Sequence, residues 1–91
     1  MFDIELITWV DSYGCSTEWT PIDDIKNDKP LTCKSVGYVV SESPIYITIV
    51  PHLTDYNDVS GEQGCGDMTI PKVAILARTI LVRDKIEELE K

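Results

Sequence analysis

The chain has 91 residues, a length that predicts a single domain over residues 1–91. Its 8 Lys and Arg against 16 Asp and Glu give a net charge of −8, which argues against a general DNA- or RNA-binding protein, because phosphate recognition needs a basic surface. An apolar content of 43% is too high for a disordered chain.

The first predicted element is a strand over Phe2–Asp11, because its residues alternate in polarity with period two. The even-numbered residues form one mostly apolar face. On the other face Ile7 and Trp9 lie among acids. We expect a loop or another subunit to cover Ile7 and Trp9, and this semi-apolar outer face favours a homo-oligomer.

The next segment, Asp11–Thr20, is predicted to be a loop, since Ser and Gly recur along it. It carries two aromatic residues, Tyr13 and Trp19. One helical turn is expected over Asp23–Asn27, with acids near its start, and it ends before Pro30.

Two long strands, Leu31–Glu42 and Ile45–Leu53, are predicted to form a hairpin around the turn Ser41-Glu42-Ser43-Pro44. The centre of the first is rich in β-branched and aromatic residues. Gly37 interrupts it and predicts a bulge, a sharp bend or a close backbone approach.

A long polar loop over Thr54–Asp67 has no core periodicity, and such a loop is usually functional or disordered. A short strand over Met68–Ile70, a tight corner at Pro71-Lys72 and a fifth strand over Val73–Ile80 follow. A helical turn or two is expected over Asp84–Lys91. Five short strands with one tight corner predict a mainly β fold, a small five-stranded SH3/Sm-like barrel with a short C-terminal helix. The alternative is a flat antiparallel sheet covered by that helix.

The termini argue for a soluble protein of the cytoplasm. Asp3 and Glu5 exclude the basic start of a signal peptide. Arg78 and Arg83 interrupt the longest apolar stretch near the C-terminus, which is far too short to span a membrane. We therefore expect no membrane association.

The cysteines do not form a recognisable metal-binding motif. Cys15, Cys33, Cys65 and His52 could together form a three-Cys, one-His zinc site, but no two of them are closely spaced. In a reducing cytosol the cysteines are expected to be free thiols. We therefore predict no metal and no cofactor.

The polar loop also gives no complete motif. Its acids resemble a calcium loop, but Val59 and Ser60 occupy positions where an EF-hand needs an oxygen ligand and a glycine. Gly61, Gly64 and Gly66 could expose backbone N–H groups to an anion, or simply give flexibility.

Aromatic and basic residues supply the remaining candidates. Outward aromatics can anchor a protein interface or stack a nucleotide base. Lys72 and Arg78 could form a local positive spot for a phosphate, or pair with Asp84 and Glu87. The candidate ligand-binding or interface residues are Trp9, Tyr13, Trp19, Tyr38, Lys72, Arg78, Gly64 and Gly66.

Three stretches, Thr8–Ser12, Ser35–Val40 and Met68–Ile75, occur in an order that resembles a family of small, mostly uncharacterised proteins of tailed bacteriophages. The resemblance implies a viral origin and supplies no catalytic residue. The corner Ile70–Ile75 is also similar to the corner before the last strand of Sm-like proteins. Those proteins assemble as rings through strands of neighbouring subunits.

No catalytic triad, carboxylate pair or cofactor fingerprint occurs at useful spacing, so the chain is not predicted to be an enzyme. We expect a non-enzymatic phage accessory protein that forms a homo-oligomer and binds a host factor in the host bacterial cytoplasm, in host takeover or anti-defence. The alternative is a sponge that sequesters a nucleotide second messenger of host defence. A further alternative is an acidic mimic of nucleic acid.

Overall fold

A computed structural model describes residues 2–12, 17–26, 28–54 and 62–84 of the chain. These residues form seven strands, a helix of one turn, α1 (Ile22–Ile25), and a 3-10 turn (Lys72–Ala74). The strands are β1 (Ile4–Asp11), β2 (Leu31–Glu42), β3 (Tyr46–Val50), β4 (His52–Leu53), β5 (Gly64–Cys65), β6 (Met68–Pro71) and β7 (Ile75–Val82).

Five of these strands form one antiparallel sheet in the order β6-β3-β2-β1-β7, and β4 pairs with β5 in a separate two-stranded ribbon. The prediction of a small, mainly β fold is therefore confirmed. The C-terminal helix was predicted for Asp84–Lys91, of which only Asp84 is among the described residues. Neither helical segment in the described ranges has the length and apolarity needed to cross a membrane.

The predicted hairpin is confirmed in β2 and β3, which pair in antiparallel register. Its turn is held by the Ser43 hydroxyl, which accepts hydrogen bonds from the backbone N–H groups of Ile45 at 3.2 Å and Tyr46 at 3.1 Å. A serine at the first position of a turn commonly acts in this way.

The predicted third strand does not run unbroken to Leu53, because Pro51 divides it into β3 and β4. Proline has no N–H to donate to a sheet ladder, so the chain leaves the large sheet there. Residues 52–53 then pair with β5, which lies inside the segment predicted as an irregular loop.

Gly37 marks a close backbone approach, one of its three predicted roles. A Cβ atom at this position would lie 3.0 Å from the backbone oxygen of Val50 and 3.2 Å from the Cβ of Ile49. The register shift in this part of the sheet lies further along β2, between Val39 and Ser41. Gly37 therefore lets β2 and β3 approach where the sheet bends.

The core lies on one face of the sheet. Ile7, Ile47, Ile49 and Ile70 form a buried cluster, and Trp9, Val39 and Ile75 pack against it. Because these residues come from strands on both sides of β2, the sheet must curve strongly, and the core occupies its concave face.

The expectation that Ile7 and Trp9 form an outer face is therefore wrong. Ile7 is 0% exposed and lies at the centre of the core, and Trp9 packs beside it. The curvature of the sheet brings Ile47 and Ile70 over this face, so neither a loop nor another subunit is needed to cover it.

The predicted tight corner is the 3-10 turn at Lys72–Ala74, and the fifth strand accordingly begins at Ile75 instead of Val73. This turn connects β6 and β7, which are the two edge strands of the sheet. No ladder joins β6 to β7 within the described residues, so closure into a barrel is not seen.

Candidate functional site

Four charged side chains from β1, β2, the 3-10 turn and β7 converge, and we call them the charge clasp: Glu5, Glu42, Lys72 and Arg78. The Arg78 guanidinium donates two hydrogen bonds to Glu5, from Nε at 2.8 Å and from Nη2 at 2.9 Å. It also donates to Glu42, from Nη1 at 3.1 Å and from Nη2 at 3.0 Å. The Lys72 ammonium lies 2.7 Å from Glu42 Oε2.

Burial differs across the charge clasp. The Glu5 side chain is 7% exposed, whereas that of Glu42 is 42% exposed. Hydrogen bonds from Arg78 and Lys72 lower the pKa of Glu42 from 4.5 to about 2. Hydrogen bonds to Glu5 and then to Glu42 raise the pKa of Arg78 above its ordinary value. The ion pair of Arg78 with Glu42 therefore favours the charged form of both partners.

Lys72 and Arg78 both form ion pairs with Glu42, which brings them together. Their partners, however, are Glu5 and Glu42, and both cations are engaged in ion pairs. Sequence reasoning missed these two acids. Glu5 was the residue that could have indicated this ion pair. It lies on the same face of the strand as Ile7, and an acid on a face that packs into the core needs a cationic partner.

Strand β7 forms a second distinctive surface. Its eight residues are exposed except for the half-buried Ile75. Leu76 is 62% exposed and Leu81 is 50% exposed. Among the residues that the structure describes, the strand pairs with β1 on one side, and no strand pairs with its other side, which presents backbone donors and acceptors.

A cavity of about 260 Å³ forms a third surface, between the sheet and the β4–β5 ribbon. Its lining residues are Phe2, Val40, Val50, Leu53, Glu62, Gln63, Gly64 and Asp67. A Cβ at Gly64 would lie 3.2 Å from a Val50 methyl group, so the ribbon packs directly on the sheet there. Gly66 does not line this cavity; its φ of 78° is in the left-handed region, which favours glycine at this turn.

The aromatic candidates do not gather at one site. Trp9 lies on the core face and donates from Nε1 to the Ser35 hydroxyl at 3.0 Å. Tyr38 is half-buried and pairs with Ile4 and Val50 in the register of the sheet. Trp19 is fully exposed before α1, and Tyr13 lies outside the described residues.

The cysteine candidates are also dispersed. Cys33 is a half-buried free thiol opposite Trp9, and Cys65 is an exposed free thiol opposite His52. Within the described ranges, no three His, Cys, Asp or Glu side chains are placed to hold a metal ion. Cys15, Gly61 and the central acids of the calcium-like loop lie outside the described residues.

Comparisons with models of protein families, with curated proteins and with solved structures gave no match. The function is therefore inferred from the charge clasp, the β7 edge and the cavity.

Proposed function

We propose that the chain is a non-enzymatic phage accessory protein that forms a homo-oligomer and binds a host factor in the host bacterial cytoplasm. The observation that carries this proposal is the exposed apolar edge of β7. The phage assignment is supported by the sequence motifs at Ser35–Val40 and Met68–Ile75.

An exposed strand edge is a template for pairing with another strand, and monomeric proteins protect such edges with Lys, Pro, bulges or short length. Strand β7 has eight residues and contains neither Lys nor Pro. Its one charged side chain, Arg78, is held by Glu5 and Glu42 of the same chain. Its pairing with β1 shifts register at two places, as at β-bulges, but the edge lacks the protection of Lys, Pro and short length, which supports its use as an interface.

The partner we propose for β7 is the other edge strand, β6, of a second copy. Strand β6 carries Met68, which is 40% exposed, and within the described part of the chain it pairs with β3 on one side only. Pairing of β6 with β7 joins two different surfaces, and repetition of such a contact generates a ring when the rotation closes.

The order of the strands also supports a finer proposal for the fold, an SH3/Sm-like barrel. The strand order β6-β3-β2-β1-β7 brings the first and last strands of the chain side by side. A single 3-10 turn over residues 72–74 joins the two edge strands. A five-stranded sheet curved about this turn is the arrangement that such a barrel requires.

The protein-binding proposal is favoured over the nucleotide sponge. A nucleotide would need Lys72 and Arg78 to meet its phosphate groups, but carboxylates already engage both cations. The net charge of −8 would further repel a phosphate-bearing ligand. The same charge favours a host protein with a basic surface as the partner.

Assembly through β7 can be tested by sedimentation velocity on the wild type and on Leu76→Lys. A lysine at this exposed position protects the edge and should convert the oligomer to monomers. The matched control is Ile22→Lys in α1, because Ile22 is 64% exposed and lies outside β7. The control should sediment as the wild type does.

Circular dichroism of both variants checks that the β fold is retained. An oligomeric wild type and Ile22→Lys with a folded monomeric Leu76→Lys would support the proposal. A monomeric wild type at micromolar concentration, or a Leu76→Lys variant that still assembles fully, would contradict it.

A further inference from the structure

The residues that line the cavity divide by burial. Phe2, Val40, Val50 and Leu53 are buried or half-buried, and we call them the floor. Glu62 and Asp67 are exposed acids, which we call the rim, and no lining residue is cationic. Among the described residues, neither of these two acids takes part in an ion pair.

The size of the cavity limits its occupant. At about 260 Å³ it lies just below the range of roughly 300–1,000 Å³ typical of sites for small molecules. One long amino-acid side chain suits this volume better than a nucleotide does. An occupant with an apolar stem and a positively charged end fits this lining best, because Glu62 and Asp67 are the charged residues among those that line the cavity and both are acids.

We propose that this cavity receives an arginine side chain of the partner protein. The three methylene groups of arginine would lie on Val40, Val50 and Leu53, and the guanidinium would meet the rim at Glu62 or Asp67. Arginine is favoured over lysine because its planar group can donate two parallel hydrogen bonds to one carboxylate. Arginine is also among the residues that most often anchor protein interfaces.

This inference rests on the proposed function in one respect, since it names the chemistry of the partner that the oligomer binds. A partner of basic character is consistent with the net charge of −8.

The test is nuclear magnetic resonance of the full chain with labelled Val and Leu methyl groups. The probe is the peptide acetyl-Gly-Arg-Gly-amide, and its control contains citrulline, which keeps the shape of arginine without the charge. We expect the arginine peptide to shift the methyl signals of Val40, Val50 and Leu53 selectively. The citrulline peptide should shift them far less at equal concentration.

Two variants test the rim. Glu62→Gln and Asp67→Asn each remove one charge with little change of shape, and at least one of them should weaken binding roughly threefold to fivefold. The matched control is Asp28→Asn, an exposed acid outside the cavity, which should bind as the wild type does.

Equal shifts with both peptides, or weakening by Asp28→Asn equal to that of both rim variants, would overturn the proposal. Shifts of the cavity methyl groups on simple dilution, without peptide, would identify a second copy as the occupant and would also overturn it. Sedimentation of the same samples separates the two proposals, because an oligomer that ignores the arginine peptide contradicts only this one.

Discussion

Glu5 is a carboxylate in a position where the neighbouring side chains are apolar. It lies two residues from Ile7 on the concave face, and the residue is 5% exposed. A buried carboxylate is costly unless a cation and hydrogen bonds compensate for lost water. Both oxygens of Glu5 accept from Arg78, so the pair is satisfied and ties β7 to β1.

Removal of Arg78 should therefore be strongly destabilising. Arg78→Met leaves Glu5 buried without its partner, and we expect the free energy of unfolding to fall by about 3–5 kcal/mol. Urea unfolding at neutral pH measures the change. Arg83→Met is the matched control, because Arg83 is exposed beyond the end of β7, and its effect should stay within about 0.5 kcal/mol. Equal losses in the two variants would show that the clasp does not stabilise the fold.

The lowered pKa of Glu42 makes the stability of the folded chain depend on pH. Its pKa is lowered from 4.5 to about 2 in the folded chain, chiefly by the hydrogen bonds from Arg78. The folded state therefore favours the ionised carboxylate, and the stability contributed is fully present above pH 4.5 and is lost as the pH falls towards 2. Since the side chain is 42% exposed, solvent screening reduces this contribution to about 1 kcal/mol.

Urea unfolding of Glu42→Gln and the wild type between neutral pH and pH 2 tests this expectation. The wild type should be more stable by about 1 kcal/mol at neutral pH, and the difference should shrink towards pH 2. Thr32→Ala, a neutral substitution in the same strand, should give a difference that does not depend on pH. A constant difference for Glu42→Gln would mean that its ionisation is not linked to folding.

At the scale of elements, β2 is the strand that organises the sheet. It has 12 residues and pairs with β1 along one side and with β3 along the other. The register shift between Val39 and Ser41 and the close contact at Gly37 lie within a few residues of each other. The sheet bends here, and this bend brings Glu42 to Arg78 across the concave face.

Gly37→Ala tests the close contact directly. The added methyl group would lie 3.0 Å from the Val50 backbone oxygen, so the strands must separate. We expect a loss of about 1–3 kcal/mol in the free energy of unfolding, by urea denaturation. Lys34→Ala, at an exposed position of the same strand, should change stability by no more than about 0.5 kcal/mol. A Gly37→Ala variant as stable as the control would place the bend elsewhere.

Local patterns predicted the elements better than their arrangement. Alternation, the Ser43-Pro44 turn and the Pro71-Lys72 corner were sufficient for the β2–β3 hairpin and for the link from β6 to β7. Strand β5, with two residues, is too short to show a period and lies in the segment predicted as a loop, whereas the residues of β4 were predicted as the end of the third strand. Their pairing depends on contacts across the chain instead of local preference.

The orientation of β1 and the charge clasp needed long-range information. Both faces of β1 carry apolar residues, so alternation could not show that Ile7 points into the core. Glu5 and Arg78 are 73 residues apart in sequence, and only the fold brings them together. The cavity was also missed, because residues far apart in the sequence line it. Of these residues, Gly64 was a candidate, as a glycine that could expose its backbone N–H.

For the whole molecule, the proposed assembly and the proposed cavity site use different features of the sheet. The assembly surfaces are the outer edges of β7 and β6, whereas the cavity lies under the β4–β5 ribbon. Val50, in the cavity wall, follows Ile49 of the core, so alternation along β3 directs it to the opposite face of the sheet. Assembly therefore uses strand edges, whereas the cavity lies on the face opposite the core.

Salt should affect these two surfaces in opposite directions. Each chain carries a net charge of −8, so copies repel one another at low salt, and screening should strengthen an assembly held by apolar strand edges. Binding of an arginine peptide at Glu62 or Asp67 is an attraction between opposite charges, and salt should weaken it. The screening length falls from about 30 Å at 0.01 M to about 8 Å at 0.15 M salt, so measurements over this range of salt concentration should show both effects. Light scattering measures the subunit number and methyl shifts measure peptide affinity in the same samples. If the subunit number and the peptide affinity both rise or both fall with salt, then charge does not distinguish the two surfaces, and at least one of them is wrongly assigned.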